Sequence, residues 1–334
     1  MKLFRRAALG LLALVVLGAS GVAAFMFGAR PLVRPAARET VVPSPELLAR
    51  GTYLVEHLLP CISCHSRGDM SRFGQPASPE HTLTGGLVFD RKIGLPGTVQ
   101  PPNLTPDAET GIGRFTDGEL IRAMREGIGR DGRALFPMMP YGELKGLSDE
   151  DAKAVVVYLR SLAPRKSATL PTQVDFPVSM FIRLGPVPVE GPVSAPDPKD
   201  HRAYGKYLVT MAGCPVCHTE RVRGKVVGGE LGGGNVFKLP VEGGTFHVVT
   251  PNLTSDPTGY TGRASVETFI ARIRGGAALA TNTQRIAPES NTLMPWIEYS
   301  GLTDADLTAI YDYIKSVEPV KNTVVVWPLA GKKT

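Results

Sequence analysis

Two short cysteine motifs constrain this sequence more than any other feature. Residues 61–65 read Cys-Ile-Ser-Cys-His, and residues 214–218 read Cys-Pro-Val-Cys-His. Together they use all four cysteines of the 334-residue chain. Cysteines three positions apart lie on one face of a helix, and a histidine follows each pair directly. This is the attachment signature of c-type haem, in which two thioethers hold the haem edge and the histidine binds iron.

The two motifs therefore predict two covalently bound haem c groups. The predicted attachment residues are Cys61 and Cys64 in the first motif and Cys214 and Cys217 in the second, with His65 and His218 as iron ligands. A zinc site, a redox-active C-x-x-C pair or a structural disulfide would be the alternative for one isolated motif. Two copies, each with histidine in the fifth place, disfavour all three alternatives.

The motifs belong to a longer internal repeat. Segments ahead of each motif, after it and close to the end of each unit recur at offsets of 149 to 155 residues. The matching segments are 50–55 and 204–209, 102–107 and 251–256, 139–141 and 294–296, and 147–149 and 302–304. Because a chain of this length is too large for one ordinary core, the repeat predicts one domain used twice.

Each unit also has helix signals near both ends. Ser44 and Pro45 begin an apolar-periodic stretch that predicts a helix ending near Leu58. Ser148 is the expected cap of a second helix in the first unit, and Thr303 has the same place in the second unit. Each unit is therefore predicted to begin and end with an amphipathic helix.

With these elements, each unit resembles a class I cytochrome c domain, which has an opening helix, a C-x-x-C-H motif, a long loop region, a methionine loop and a closing helix. Residues 44–319 are similar to the membrane-anchored cytochrome c subunits that serve periplasmic alcohol, gluconate and related dehydrogenases. The shared patterns are P-N-L-T-x-D, a T-D-x-E-L helix start and a methionine loop reading M-P. Those subunits typically have three such domains and this chain has two, which leaves open whether it has a dehydrogenase partner.

The resemblance implies a mainly α fold, with two tandem class I cytochrome c domains after a single N-terminal transmembrane helix. It also implies that Gly51 and Gly205 let the opening helix press against the closing helix, near Tyr158 and Tyr313. The predicted boundaries are 1–30 for a membrane anchor or signal, 44–165 for domain 1, 166–198 for a proline-rich linker, 199–320 for domain 2 and 321–334 for a C-terminal tail.

Iron in such a domain takes a second axial ligand, and methionine is the first candidate. Of nine methionines, Met138, Met139 and Met294 lie in the loop that recurs before proline. The repeat pairs Met139 with Met294, whereas Met138 has Leu293 as its counterpart. Met139 and Met294 are therefore the predicted ligands, with Met138 as the alternative in domain 1. Proline after methionine favours an extended loop that can reach the iron, although these methionines could also simply fill gaps in the core.

Other side chains are weaker candidates for the haem sites. Four histidines do not recur at matching positions, and we expect them on the surface or in the core: His57, His81, His201 and His247. Asn103 and Asn252 do recur, in the P-N-L-T pattern. They either donate to a haem propionate or a loop carbonyl, or stabilise a turn.

Ligation by histidine and methionine leaves iron without an open position for substrate, and it raises the reduction potential. The sequence therefore favours electron transfer in a periplasmic respiratory or photosynthetic chain, as a carrier or as the cytochrome subunit of a larger complex. The expected redox partners are a dehydrogenase, a quinol-oxidising complex or a terminal acceptor. The alternative is a dihaem enzyme of the peroxidase or thiosulfate dehydrogenase type, which would need an open or differently ligated haem.

The N-terminus predicts attachment to the cytoplasmic (inner) membrane as a single-pass protein. Residues 7–29 are 23 consecutive residues without a charge, close to the roughly 20 that span a bilayer. An uncleaved anchor is predicted, and a cleavable signal peptide is the alternative. Because c-type haem is joined to apo-protein outside the cytoplasmic membrane, the haem domains are expected on the periplasmic side.

The basic composition belongs to the termini of the chain. The sequence has 37 Lys and Arg against 31 Asp and Glu, a net charge of +6. Residues 44–165 hold 14 against 15, and residues 197–320 hold 12 against 13, so each domain carries −1. The excess positive charge lies around the apolar segment and at the C-terminus, where anionic lipid is the expected counterpart. No nucleic-acid partner is expected.

Overall fold

The computed structural model describes residues 2–28, 31, 33–222, 224–241, 244–287 and 290–327. The described chain is mainly helical, as predicted, with three two-stranded antiparallel sheets. The helices are α1 Lys2–Gly28, α2 Pro45–Tyr53 with a π-helical continuation Leu54–Leu58, α3 Cys61–His65, α4 Asp117–Glu126, α5 Tyr141–Leu144, α6 Asp149–Ser161, α7 Val178–Phe181, α8 His201–Met211, α9 Cys214–His218, α10 Val266–Arg274, α11 Trp296–Tyr299 and α12 Asp304–Ser316. The strands are β1 Gly97–Thr98, β2 Gln173–Val174, β3 Arg221–Val222, β4 Lys225–Val226, β5 Val236–Val241 and β6 Gly244–Val249. Short 3-10 turns lie at Pro79–His81, Arg91–Ile93, Ile182–Leu184 and Gly275–Leu279.

The opening and closing helices of each repeat cross at a glycine. A Cβ atom on Gly51 of α2 would lie 2.0 Å from the carbonyl oxygen of Ala154 in α6. A Cβ atom on Gly205 of α8 would lie 2.0 Å from the carbonyl oxygen of Ala309 in α12. Both positions also touch the expected tyrosines, Tyr158 and Tyr313. The predicted close approach of the two helices is confirmed, since only glycine leaves room for it.

Each domain has an apolar core between its opening and closing helices. Residues just before the closing helix complete this core. Deeply buried side chains include Leu54, Leu58, Leu147 and Val155 in domain 1 and Leu208, Val209, Leu302 and Leu307 in domain 2. Burial of one such side chain contributes about 1.5–3 kcal/mol. In both domains, two residues separate the opening helix from the C-x-x-C-H helix, so core packing of the opening helix sets the position of the motif.

The two domains contact each other through reciprocal hydrogen bonds. The Tyr53 hydroxyl of domain 1 donates to the Asp306 carboxylate in α12 and accepts the N-cap amide of that helix at 3.1 Å. In the opposite direction, the Tyr207 hydroxyl of α8 donates to Asp151 of α6 at 2.6 Å and accepts the N-cap amide of α6 at 3.2 Å. Because the two tyrosines and the two aspartates are repeat equivalents, the interface has approximate two-fold symmetry.

The linker packs along domain 1. Strand β2 of the linker pairs antiparallel with β1 of domain 1, and the Asp149 amide donates to the Val193 carbonyl at 2.8 Å. Met180 in α7 is buried, and the backbone at Gly185 lies against the Tyr141 hydroxyl. The linker is therefore held to domain 1 at several points, which proline content alone did not indicate.

The N-terminal helix α1 is exposed along its apolar stretch, whereas the residues that follow it pack on domain 1. Residues Phe4–Ala24 of α1 have a mean hydropathy of 2.2 and make no buried contact with the rest of the chain. After the helix, the chain packs on domain 1. Arg34 forms an ion pair with Glu126 at 2.6 Å, Ala37 lies against Gly118, and Val41 is buried. Residues 34–41, which precede the predicted boundary at residue 44, thus make contacts with domain 1.

Domain 2 contains a β-hairpin in the region between the motif and the methionine loop, where the resemblance to class I cytochrome c implies a long loop region. Strand β5 pairs with β6 from Val236 opposite Val249 onward. The Val249 amide also donates to the Val326 carbonyl at 2.9 Å, and the Asn322 side chain donates to the Gly232 carbonyl at 2.9 Å. The first residues of the predicted tail therefore contact domain 2, and residues 328–334 lie outside the described residues.

Candidate haem sites

The two C-x-x-C-H motifs form single helical turns with the same surroundings. Nδ1 of His65 donates to the Pro102 carbonyl at 2.8 Å, and Nδ1 of His218 donates to the Pro251 carbonyl at 2.8 Å. Both rings are buried, and burial lowers the pKa of both histidines. Each imidazole is therefore held neutral with its proton on Nδ1, which leaves the Nε2 lone pair for a metal.

Burial makes the first cysteine thiol of each motif harder to ionise. Burial, with a smaller contribution from the neighbouring Cys64, raises the pKa of Cys61 to about 12. Burial likewise raises the pKa of Cys214 to about 12. Thiolates are what zinc and disulfide exchange require, and all four cysteines are unpaired. Across the described residues, no group of three or more His, Cys, Asp or Glu side chains could hold a metal ion.

Domain 1 has a large cavity beside its motif. Its volume is about 660 Å³, within the range of about 300–1,000 Å³ typical of cofactor pockets. The lining includes Cys61, Cys64, His65 and Met139 together with apolar side chains such as Leu104, Phe115, Leu120, Leu144, Val155 and Leu159. A mostly apolar cavity with two thiols and an imidazole at its wall fits a covalently bound porphyrin.

Part of this cavity wall comes from the linker. Residues 169–172 line the cavity, and the Leu170 amide is fixed by the Gln100 side chain at 2.7 Å. Gly85 lies against the Thr169 methyl group. Sequence reasoning missed these residues because they follow the closing helix of domain 1 and carry no motif.

The methionine loops place the predicted axial ligands in equivalent positions. Met139 and Met294 both pack against the core, and each carbonyl accepts the amide two residues on, at 2.8 Å in both domains. Met138 also lines the cavity, as does Met124 of α4. Leu293, the counterpart of Met138, has 37% of its surface exposed.

The other histidines lie elsewhere. Nδ1 of His57 lies 3.2 Å from the Glu298 carbonyl, at the domain interface. His201 pairs with Asp312 on the surface at 2.9 Å, while His81 and His247 are exposed. None of the four is among the residues lining the cavity of domain 1.

The recurring asparagines form the turns of their loops. The Asn103 side chain donates to the Arg165 carbonyl at 2.7 Å and accepts the Thr105 amide at 2.9 Å. The Asn252 side chain donates to the Val320 carbonyl at 2.6 Å and accepts the amide two residues on at 3.0 Å. Both are buried. In the structure, both asparagines therefore donate to a loop carbonyl and also stabilise the turn of their own loop.

The segment just before the first motif contacts α11 of domain 2, where Nδ1 of His57 lies 3.2 Å from the Glu298 carbonyl. Burial raises the pKa of Cys64 to about 11, with a smaller contribution from Cys217 of the other domain. Tyr299 of α11 is buried, and its hydroxyl donates to the Ala212 carbonyl just before the second motif. Burial, followed by the charges of thiols in both motifs and of Glu298, raises its pKa. The sequence contained no signal for this proximity.

Comparison with known proteins agrees with this arrangement. The sequence profile of the family described as "Cytochrome c" matches residues 49–163 and again residues 203–318. The chain belongs to the cytochrome c family. The two matched ranges lie inside the two predicted domains, and the prediction of two haem c groups in this cytochrome is confirmed.

Individual relatives of the cytochrome are electron-transfer subunits. It is 31% identical to the alcohol dehydrogenase (quinone) cytochrome c subunit of Gluconacetobacter polyoxogenes, over 82% of this chain and 56% of that subunit. It is 31% identical to the gluconate 2-dehydrogenase cytochrome c subunit of Pantoea cypripedii, over 81% and 59% of the two chains. A diheme cytochrome c-type protein of Cereibacter sphaeroides is 30% identical over 48% of this chain and 53% of its own. The cytochrome thus spans less than two thirds of the length of these relatives.

Proposed function

We propose that this cytochrome is a membrane-anchored dihaem subunit that passes electrons between redox proteins on the periplasmic side of the cytoplasmic membrane. The observation that carries the proposal is the repetition of one complete ligand set. In each domain the same fold brings two cysteines, a histidine held by a backbone carbonyl and a core-packed methionine into matching positions.

The proposed haem residues follow from this repetition. Haem c is attached through Cys61 and Cys64 in domain 1 and through Cys214 and Cys217 in domain 2, with His65 and Met139, and His218 and Met294, as axial ligands. Haem iron supplies the change between ferrous and ferric states. The protein holds each imidazole neutral and correctly oriented through its Nδ1 donation, and it surrounds the haem with apolar side chains that exclude water.

The proposed route of the electron between the two haems crosses the domain interface. The segment before the first attachment motif contacts α11 there, through Nδ1 of His57 and the Glu298 carbonyl at 3.2 Å. Helix α11 also contacts the residues just before the second motif, through the bond from the Tyr299 hydroxyl to the Ala212 carbonyl. The reciprocal tyrosine–aspartate bonds keep the two domains in one relative position. Because electron-transfer rates depend steeply on distance, a fixed relative position of the two domains favours a defined internal step.

The proposed partner is a periplasmic dehydrogenase. The alcohol and gluconate dehydrogenase subunits named above are similar to this chain across both domains. A quinol-oxidising complex or a terminal acceptor would stand at the other end of the electron path. Affinity purification from gently solubilised membranes, followed by assay of dye-linked dehydrogenase activity, identifies the donor.

Helix α1 is the proposed membrane anchor, with a cleaved signal peptide as the alternative. Its apolar stretch is 21 residues long, enough to cross the hydrocarbon core at about 1.5 Å per residue. Residues 34–41 pack on domain 1, so the first haem domain would lie close to the membrane surface. Extraction of membranes with alkaline carbonate and N-terminal sequencing of the mature protein distinguish an anchor from a cleaved signal.

The proposed domain limits keep the predicted boundaries, 44–165 and 199–320, as the haem-binding units. The segment before residue 44 and the linker 166–198 add supporting contacts to domain 1, and the first residues after 320 add them to domain 2. Limited proteolysis of the holoprotein checks this assignment through the fragments that retain haem.

Visible spectroscopy of the axial-ligand variants tests the site assignment. The resting holoprotein is expected to contain two low-spin haems. Met139→Ala and Met294→Ala should each convert one haem to high spin, whereas Met138→Ala should leave both haems low-spin. A high-spin haem in the resting wild type, together with peroxide turnover after prior reduction, would instead support the dihaem-enzyme alternative. Conversion by Met138→Ala in place of Met139→Ala would reassign the ligand of domain 1.

A further inference from the structure

One loop of domain 1 lies directly on the methionine loop of domain 2. We call residues 69–75 the bracing loop. It is folded by its own hydrogen bonds, because the Asp69 amide donates to the Pro76 carbonyl at 3.1 Å and the Asp69 carboxylate accepts the Ser71 hydroxyl at 2.6 Å. The Arg72 amide closes the turn on the Asp69 carbonyl at 3.0 Å. The bracing loop therefore presents a defined shape to domain 2.

Asn291 of domain 2 is the centre of the contact. Its side-chain amide donates to the Met70 carbonyl at 2.9 Å and to the Arg72 carbonyl at 3.0 Å. Its side-chain oxygen accepts the Gly74 amide at 3.1 Å. Asn291 is completely buried, so these bonds are not exposed to competition from water.

Further bonds extend the contact along the methionine loop. The Arg72 guanidinium donates to the carbonyls of Asn282 at 2.7 Å and Ala280 at 3.1 Å. The Ile286 amide donates to the Ser71 carbonyl at 2.9 Å. On the other side, the Gln75 amide group donates to the Thr292 carbonyl at 2.8 Å.

The contact continues to the proposed iron ligand. The Asn291 side-chain oxygen accepts the Thr292 amide at 2.8 Å, and the Thr292 hydroxyl accepts the Met294 amide at 3.1 Å. The Asn291 carbonyl also accepts the indole N–H of Trp327 at 3.0 Å. A continuous set of hydrogen bonds thus joins domain 1 to the backbone of Met294.

The methionine loop of domain 1 is shorter and supports itself. Twelve residues separate α4 from Met139, whereas nineteen separate α10 from Met294. The shorter loop is closed by its own backbone bonds, from Leu135 to the Gly127 carbonyl at 2.7 Å and from Gly129 to the Arg133 carbonyl at 2.9 Å. The first five of the nineteen residues form the 3-10 turn Gly275–Leu279, and the remaining loop of domain 2 is also held by contacts from the neighbouring domain.

We propose that domain 1, through its bracing loop, holds the axial methionine of domain 2 in place, with Asn291 as the positioning residue for Met294. The inference rests on the proposed assignment of Met294 as an iron ligand. The methionine–iron bond of the second haem then depends on domain docking, while the loop before Met139 is closed by backbone bonds within its own domain.

Asn291→Ala in the full-length holoprotein tests this role. The near-infrared charge-transfer band of methionine-ligated ferric haem should fall toward the level of a single haem. In a potentiometric titration, the haem of domain 2 should shift to lower potential, because loss of methionine lowers the potential, while the haem of domain 1 stays unchanged and serves as the internal reference. Asn282→Ala is the matched control in the same loop, since the backbone carbonyl of Asn282 accepts the bond from domain 1, while its side chain accepts the Gln284 amide within the loop.

Substitutions of Arg72 in the bracing loop of domain 1 test the same contact if the Asn291→Ala variant does not fold. Arg72→Ala removes two bonds from the bracing loop without altering domain 2, and it should weaken the same band by a smaller amount. Arg72→Lys, which retains one donor, should recover part of it. An unchanged band and unchanged potentials in both Asn291→Ala and Arg72→Ala would overturn the inference.

Met294→Ala separates this inference from the ligand assignment. If Met294→Ala removes the methionine band of one haem but Asn291→Ala and Arg72→Ala do not, Met294 remains the assigned iron ligand and the bracing role is wrong. If Met294→Ala leaves the band intact, the assignment itself fails, and the bracing role fails with it.

Discussion

The two domains are built alike around the haem motif and differently around the methionine loop. Both have the glycine crossing, a histidine bound to a proline carbonyl at 2.8 Å and a buried asparagine turn. The loop before Met139 is twelve residues long and closed by its own backbone, whereas the loop before Met294 is nineteen residues long and contacts the bracing loop.

This difference shows which parts of a duplicated domain tolerate change. Covalent attachment and histidine orientation need a fixed backbone within a few residues of the motif, so the two copies match closely there. The methionine approaches from a loop, and a loop can be ordered by any neighbour that offers matching donors and acceptors. In the proposed bracing role, domain 2 relies on its neighbour at this loop.

The largest expected effect tests what the domains share. Gly51→Ala and Gly205→Ala each place a Cβ atom 2.0 Å from a helix carbonyl oxygen. Each should lower the free energy of unfolding by about 3 kcal/mol or more, because overpacked backbone contacts relax only partly. Chemical denaturation, monitored by circular dichroism, measures the unfolding free energy of both variants.

Gly142→Ala is the control for the glycine substitutions, since nothing lies within 4 Å of a Cβ atom at that helical position. It should be neutral or slightly stabilising. A clearly unequal cost of Gly51→Ala and Gly205→Ala would show that the two crossings are not equivalent after all.

A smaller loss of stability is expected from removing either interface tyrosine hydroxyl, and the two losses should differ. Tyr53→Phe removes a hydroxyl from the buried Asp306, whereas Tyr207→Phe removes one from Asp151, which also binds Arg50 at 2.7 and 2.9 Å. In the described part of the chain, no ion pair compensates Asp306.

Tyr53→Phe should therefore cost about 2–3 kcal/mol and Tyr207→Phe about 1 kcal/mol of unfolding free energy, because Asp151 keeps its ion pair with Arg50 when the tyrosine hydroxyl is lost, whereas Asp306 has no such ion pair among the described residues. The two variants can be compared in one denaturation series. Equal losses, or a larger loss for Tyr207→Phe, would contradict the asymmetry.

The smallest expected effect is on the pH dependence of stability, through Glu298 of α11. Burial raises the pKa of Glu298, and a hydrogen bond from Ser63 opposes this shift. Because the folded-state pKa lies above the unfolded value, the folded protein binds the proton more tightly, and its stability falls as pH rises from about 4.5 through the folded-state pKa. Glu298→Gln should remove this loss.

Thermal unfolding at several pH values measures the effect of Glu298→Gln. The variant and wild type should be alike at pH 4.5 and below, where the glutamate is protonated, and the variant should become relatively more stable toward pH 7. Parallel curves across that range would show that Glu298 does not contribute to the pH dependence.

Much of the fold could be read from nearby residues. The helix starts at Ser44, Ser148 and Thr303 appear as capped helices, and the close approach at Gly51 and Gly205 is present. These features depend on local propensity and on a repeat visible in the sequence. The hairpin β5–β6 was missed because its strands carry little alternation of apolar and polar residues, and the linker wall of the first cavity was missed because it carries no motif.

The sequence by itself determined the cofactor class, the number of domains and the candidate attachment and axial residues, because attachment of haem c requires a pattern of five consecutive residues. Only the tertiary structure decided how the two domains depend on each other. The bonds from Arg72 to Asn282 and from Asn291 to Met70 join residues more than 200 positions apart. Such contacts exist only after both domains have folded and docked, so no local pattern of residues encodes them.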